Sequence, residues 1–361
     1  MELTSVGASL AACLVAVVLF MVGSISNAVA GSIEDATVAQ EEVDETVGVV
    51  NDAQGEGLAD DTSTATETVA SADEDQSLLD VDLTDEGLTD DEFKAALGAQ
   101  SRAAAAAVTS ADELASADLG EIEVEGVDAS GAATQLQRLA LATSELEGEG
   151  YTVSYELVDV STGATISHDS DATVYSASSI KAPYVLYLEQ NVVGSNQAGM
   201  RETIAECIEN SDNDAYRTLH STFGESGFAS WVEACGCDLS DLSYHYYTDY
   251  SAADLVRIWT ASYDFLVGGR TDQAVFTADI LSNTLKSPIA AVTDGVDSWS
   301  KAGWYPDAES NAGPSTVDGG IVRADSGDYV VAVLTDDPED FLAVGTLVAC
   351  LDNAHTALMT A

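Results

Sequence analysis

The chain of 361 residues carries 63 acidic and 11 basic side chains, a formal net charge of −52 at neutral pH. The excess is shared, with 29 acids and 2 bases in residues 1–130 and 34 acids and 9 bases in residues 131–361. Neither part offers a basic stripe to neutralise phosphates, which excludes binding to nucleic acid and electrostatic attraction to anionic lipid headgroups.

Residues 6–23 are almost wholly apolar, and SNAVAG follows with an Ala28-Val29-Ala30 cleavage pattern. This is the form of an export signal cut after Ala30, which makes 1–30 a leader. The opening Met-Glu-Leu has no positive residue, so an uncleaved anchor is the second reading, since about 18 apolar residues just span a bilayer. LAAC at 10–13 resembles a lipoprotein box, but the apolar run continues past Cys13. All three readings place the rest of the chain outside the cytoplasm, extracellular or at the cell surface, with membrane contact only through the N-terminal segment.

Residues 31–130 hold one aromatic, Phe93, and no proline. Over 31–87 Asp, Glu, Ala, Thr and Ser alternate without an apolar period, so a disordered, self-repelling acidic spacer is expected. Thr89-x-x-Glu92 is a capping box that predicts a short helix over 90–108. It is read as an Ala-rich helix carried on the spacer, with a docking element as the alternative.

From residue 131 the texture is that of a folded domain, with every Trp and Tyr of the chain. Leu136, Leu139, Leu141 and Leu146 mark an amphipathic helix closed by Gly148-Glu149-Gly150. YTVSYELVDV (151–160) reads as a strand, 161–163 as a turn and 164–170 as its hairpin partner. A helix is predicted over 178–191, with further helical segments to about 265. SWSKAGW (298–304), VDGGIVRA (317–324) and DYVVAVLTD (328–336) read as three strands before a last helix over 338–357. The expected fold is α+β, an antiparallel sheet built from both ends of the domain plus a helical subdomain.

Cys207, Cys235, Cys237 and Cys350 are an even set in an exported chain, which favours disulfides with three possible connectivities. The histidines, 168, 220, 245 and 355, are scattered. A zinc site from Cys235, Cys237 and His245 ranks below structural cysteines. No metal or other cofactor is expected.

Of four lysines, Lys181 completes Ser178-Ser179-Ile180-Lys181 at the start of a predicted helix. Positions i and i+3 share a helix face, so the amine lies on the hydroxyl's side. A hydroxyl is a weak nucleophile until a neighbour takes its proton, and a desolvated lysine near another cation can do that. Ser298-Trp299-Ser300-Lys301 has the same spacing but lies in a strand reading, where i and i+3 point to opposite faces. Ser211-Asp212-Asn213 follows a helical segment, and Lys301-Ala302-Gly303 lies on a strand reading.

S-x-x-K, S-D-N and a K-x-G box in this order resemble the signature of class A β-lactamases and penicillin-binding proteins. YSASSIKAP, RETIAECIENSDNDAYRTL and VDGGIV…YVVAVLTDD supply matching flanks, and the resemblance covers 131–361. It implies a β-lactamase/transpeptidase-like fold with Ser178 as the acylated nucleophile, Lys181 as its activating partner and Ser211 as proton shuttle to the leaving nitrogen. Asn213 would bind the substrate's side-chain amide and Lys181. Lys301, with Ala302 and Gly303, would form the carboxylate-attracting wall, and the N–H groups of Ser178 and Trp304 the oxyanion hole.

Three departures stand out. Ala302 replaces the usual hydroxyl residue, only 33 residues separate Ser178 from Ser211, and no E-x-x-L-N element supplies a water-activating glutamate. The segment where it belongs, 237–255, has no glutamate; its Asp238, Asp241 and Asp249 are substitutes or plain turn residues. Tyr244, Tyr246, Tyr247 and Tyr250 form an aromatic cluster that either lines the site or packs the helical subdomain. The resemblance thus implies a serine hydrolase acylated by β-lactams or related amides, with slow hydrolysis and a monomeric state. The alternatives are a penicillin-binding D-Ala peptidase or acyltransferase acting on cell-wall peptides, and a non-catalytic surface module.

Overall fold

In the computed structural model of the chain, residues 77–360 are described except 108–113, 115–118, 120–121, 195–198, 238, 240–245 and 307–312. The leader, the acidic segment to residue 76, Asp238, Asp241, Tyr244 and His245 lie outside the described residues. In chain order the elements begin with helix α1 (Asp90–Ala107), strand β1 (Glu123–Glu125) and helix α2 (Ala133–Glu149). Strands β2 (Val153–Asp159), β3 (Thr165–His168) and β4 (Thr173–Tyr175) follow, then a 3-10 turn at Ala177–Ile180. The helical part comprises α3 (Lys181–Asn191), α4 (Arg201–Ile208), α5 (Asn213–Phe223) and α6 (Ser226–Ala234). After β5 (Asp249–Ser251) come α7 (Ala252–Val267), α8 (Asp272–Ser282) and α9 (Pro288–Val292). The chain closes with β6 (Ser298–Ser300), β7 (Gly303–Tyr305), β8 (Ser315–Ala324), β9 (Gly327–Thr335) and α10 (Phe341–Thr360).

The main sheet is antiparallel in the order β1-β3-β2-β9-β8-β6, with β7 also paired to β8. The first hairpin and the last strands therefore meet at β2–β9, where Val153 faces Thr335 and Asp159 faces Tyr329. Period-2 alternation sends successive side chains to opposite faces. Tyr329, Val331 and Val333 of β9 join the core under α2 and α10. Val330, Ala332 and Leu334 join the core shared with the helical subdomain. Both faces are covered, so β9 reads as a continuous apolar run.

Local chemistry sets the ends of elements. Thr89 accepts from the Glu92 N–H (3.3 Å) and its own N–H donates to the Glu92 carboxylate (2.9 Å), the capping box expected at the start of α1. Gly150, left-handed at φ 101°, ends α2, and the Tyr151 N–H reaches back to the Leu146 carbonyl.

Two expectations are corrected. First, α1 is no bare helix on a spacer: it is part of the folded unit that holds the rest of the described chain. Phe93 and Leu97 are buried in a cluster with Ala291 and Phe341. Its alanines and Gly98 let it approach α9 and α10 closely, and a helix with two large apolar anchors gains more by burying them than by staying solvated. The strand read over 298–304 is present as β6 and β7, which pair with β8 in one continuous register, Ser300 opposite Gly320 and Gly303 opposite Val317. Between them the Lys301 N–H donates to the Gly319 carbonyl of β8 at 3.1 Å. Second, the four described cysteines, Cys207, Cys235, Cys237 and Cys350, are free thiols. Cys207 sits in the core of the helical subdomain and Cys350 in the core on the other face of the sheet. Cys235 and Cys237 flank Gly236, left-handed at φ 87°, and the Cys237 thiol donates to the Asp254 carbonyl at 3.3 Å.

Asp159, 1% exposed, ties the end of β2 to α10. Its carboxylate accepts from the Ser161 and Thr162 N–H groups (3.1 and 2.7 Å) and bonds His355 Nε2 at 3.0 Å. Burial raises its pKa, but the hydrogen bonds from Thr162, His355 and Ser161 outweigh it and hold the carboxyl well below the usual range. A depressed carboxylate adds stability above its unfolded pKa and loses it as pH falls through the folded one. Asp159→Asn is therefore expected to cost about 3 kcal/mol in urea unfolding at pH 7. The gap to the parent should narrow progressively below about pH 4.

Candidate active site

The Ser178 turn is held from three sides. The Ser176 N–H donates to the Thr248 carbonyl (3.0 Å), which anchors the turn to the segment leading into β5. The Ser179 hydroxyl bonds the Ser176 carbonyl and the Tyr250 hydroxyl, so Ser179 and Tyr250 are both buried and structural. Ala177 is left-handed at φ 42°, a conformation that costs an L residue of order 1–3 kcal/mol. The strain is borne immediately before Ser178, which alone in Ala177–Ile180 stays partly exposed. Of the two adjacent serines, the structure thus presents Ser178 and locks Ser179 away.

Gly303 lies flat against this turn. A Cβ there would stand 2.4 Å from the Ser179 nitrogen, 2.6 Å from the Ser176 carbonyl and 2.7 Å from the Ser178 nitrogen. All three are backbone atoms that cannot swing away, so only glycine lets β7 run beside the nucleophile turn. Trp304 follows Gly303 on β7, so its peptide continues directly from the point of closest contact with that turn.

Ser211-Asp212-Asn213 divides its labour. Asp212 caps α5, accepting from the Ala215 N–H at 2.6 Å, the structural task any such turn could have. Ser211, left-handed at φ 53°, and Asn213 turn toward the lysines. Lys181 Nζ donates to the Ser211 carbonyl (2.5 Å), to Asn213 Oδ1 (2.7 Å) and, at 3.4 Å, to Ser211 Oγ. Lys301 Nζ donates to the same Ser211 Oγ at 3.1 Å and to the Ala302 carbonyl at 2.9 Å. One hydroxyl thus bridges two buried amines, exposed by 0% and 1%.

Burial pushes Lys181 down to about 8. Burial, with the Lys181 charge facing it, pushes Lys301 down to about 7. Both can hold or release a proton near neutrality, the property a proton relay requires. Sequence reading missed Asp318, a buried carboxylate on β8 that accepts from Ser287 Oγ (2.6 Å), the Ile289 N–H (2.9 Å) and the Gly319 N–H (2.9 Å). Burial raises it to about 6, and it supplies negative potential to Lys301. No motif marks it; only the strand pairing sets it near the lysine.

The tyrosine cluster separates into different tasks. The Tyr247 hydroxyl donates to Asn213 Oδ1 at 2.9 Å, Tyr246 stacks on His220 at 4.4 Å, and Tyr250 locks Ser179. Tyr175 packs edge-on against Tyr305 (5.6 Å) and tilted on Tyr247 (6.2 Å), an aromatic wall that joins the strand before Ser178 to the strand after Gly303. Asp249, the remaining described substitute for the missing glutamate, is exposed on β5 opposite Tyr175. Outside the boxes, Glu147, His168 and Asp169 bring possible metal-ligand atoms within 4.8 Å of one another, and His168 Nε2 bonds Glu147 at 2.8 Å.

Residues 194–354 match the family described as the β-lactamase enzyme family, an interval that holds Ser211, Asn213 and Lys301 and begins after the Ser178 turn. No curated protein matches the sequence. The fold is similar to that of a β-lactamase from Streptosporangium roseum, with a TM-score of 0.51 at 14% identity over 63% of this chain and 100% of that one. A β-lactamase from Sphaerobacter thermophilus gives 0.49 at 18% identity over 65% and 98%, and a class A β-lactamase from Mycobacterium abscessus 0.48 at 16% over 60% and 97%. The chain is β-lactamase-like in its family match and in its α+β fold.

The close approach at Gly303 yields a sharp test. Gly303→Ala is expected to leave the fold intact by circular dichroism and to reduce modification of Ser178 by a reactive serine probe by on the order of 100-fold.

Proposed function

Taking the β-lactamase-like fold as premise, we propose that this chain is an exported serine acyl hydrolase that takes β-lactams or related amides as a covalent ester on Ser178. The observation that carries the reading is the Ser211 hydroxyl bridged by two buried lysines, one of which, Lys181, begins the helix that follows the strained Ala177 and the partly exposed Ser178. Neutral Lys181 accepts the Ser178 proton as Oγ attacks the carbonyl carbon. The oxyanion forms against the Ser178 and Trp304 N–H groups, the amide C–N bond breaks, and Ser211 protonates the leaving nitrogen. Lys301 re-supplies Ser211 and, as the cation at the wall of the site, attracts a substrate carboxylate in place of the hydroxyl that Ala302 lacks. Water then cleaves the ester. Deacylation is slow in this reading, because 237–255 has no glutamate and Asp249 is exposed to solvent rather than held over the ester.

An intact-mass time course after adding a penicillin to the full chain tests it. A mass increase equal to the drug, lost in Ser178→Ala and decaying far more slowly than it forms, is expected. Rapid turnover would require a deacylation base elsewhere, and no adduct would remove β-lactams from the substrate class.

The pH dependence follows from the two amines. Lys181 must be neutral to act as base, so acylation rises as pH approaches about 8. Lys301 must be charged to attract the carboxylate, so acylation falls as pH climbs past about 7. The lysines meet at one hydroxyl, so the observed steps belong to the pair. A narrow bell with its maximum between those two values is the expected rate profile.

A further inference from the structure

The chain has only four lysines, and two of them lie in the boxes already described. A third, Lys286, sits in the short connection between α8 and α9 with its backbone in the left-handed region at φ 52°. Among the described residues, in a chain crowded with carboxylates, it makes no ion pair. Its ammonium lies instead over three aromatic rings: Phe93 at 5.2 Å, Phe341 at 5.3 Å and Trp304 at 5.6 Å. The rings also pack on one another, Phe93 edge-on to Phe341 at 5.6 Å and Phe341 edge-on to Trp304 at 5.3 Å. Three distant parts of the chain meet there: α1, the first residue of α10, and β7.

Trp304 gives this cluster a consequence for chemistry. Its ring faces Lys286 and, at 5.9 Å, also the ammonium of Lys301. Its own peptide follows Gly303, the residue of β7 that lies against the Ser178 turn. A ring held between two cations and edge-on to a buried phenylalanine has little freedom, and the peptide that carries it inherits that restriction. The contact that closes the cluster comes from α1, an element outside the 131–361 region that carries the boxes. Phe93 is 4% exposed, and the helix is fastened further along by Arg102, which donates to the Ala291 and Val292 carbonyls (3.3 and 3.0 Å).

We propose that α1 is a working part of the active site: Phe93, through the Lys286–Phe341–Trp304 cage, holds the Trp304 peptide and Lys301 in the geometry that acylation needs. Phe93 and Lys286 are positioning residues, acting on the reaction only through Trp304. The site is complete only while α1 is docked, so the segment preceding the box-bearing region controls its competence. The inference deepens the serine-hydrolase reading and rests on it for its kinetic test.

The test compares full-length chains below their melting temperatures, with a penicillin as probe and the acylation rate constant separated from the non-covalent binding constant. Phe93→Ala and Lys286→Met are expected to slow acylation by on the order of tenfold with binding little changed. Lys286→Arg, which keeps a cation over the rings, should come back to within about twofold of the parent. The double variant should be no slower than the slower single one, because both break one cage. Asp159→Asn, which breaks the link from β2 to the far end of α10 and touches no residue of the cage, should lower the melting temperature and leave the acylation rate unchanged. Parent-like rates in both single variants overturn the proposal, as does Asp159→Asn slowing acylation as much at an equal loss of melting temperature. Where the parent itself is not acylated, the hydrolase reading fails and the cage is judged on Trp304 emission, isolated by subtracting Trp304→Phe. A shift of that emission in Lys286→Met and not in Asp159→Asn supports the cage, and an unshifted emission or an equal shift in both variants overturns it.

Discussion

Two amines removed from water and brought to a single hydroxyl constrain everything around them. Burying an ammonium is costly unless its charge is shared or its proton is given up, and two such groups close together raise the cost for each other. The structure meets it with oxygen: the Ser211 carbonyl and Asn213 for Lys181, the Ala302 carbonyl and Ser211 Oγ for Lys301, and the Asp318 potential from β8. What cost remains appears as lowered proton affinity, the form in which a relay can use it. The left-handed Ser211 is the backbone adjustment that turns its carbonyl and hydroxyl toward the amines.

Close backbone contact, flanked by the packing of Tyr175 on Tyr305, joins the two halves of the site. The Ser178 turn belongs to the helical subdomain and β7 to the sheet, and they meet at Gly303 with no room for a methyl group. The same logic of close approach recurs where α1 docks. A Cβ on Gly98 would fall 2.2 Å from the Ala291 carbonyl, so the small residues of α1 that read as low complexity are what bring Phe93 within reach of the cage. Low aromatic content misled the reading of this segment for a physical reason: one phenylalanine and one leucine suffice to anchor a helix whose remaining buried face is alanine, Gly98 and Ser101.

The cysteines teach a related lesson. Even number and an export pattern favoured disulfides, yet Cys207 and Cys350 serve as small apolar side chains in cores on opposite faces of the sheet. Burial pushes both thiols up to about 12, which keeps them neutral and fits that role.

By itself the sequence determined the α+β class, the positions of most strands, the α1 capping box and the three boxes, because each is local: alternation, capping and i, i+3 spacing act over a few residues. It also separated the two S-x-x-K matches, since Lys181 falls at the start of a predicted helix and Lys301 in a strand reading. Only the tertiary structure decided that Lys301 shares Ser211 with Lys181 across 120 residues of chain, that Asp318 supplies its counter-potential, and that Tyr175 and Tyr305 meet. It alone decided that α1 belongs to the domain and that Lys286 has rings rather than carboxylates for partners. Those contacts depend on strand register and helix docking, which pair residues by the geometry of a whole sheet, and no short-range pattern in the chain encodes them.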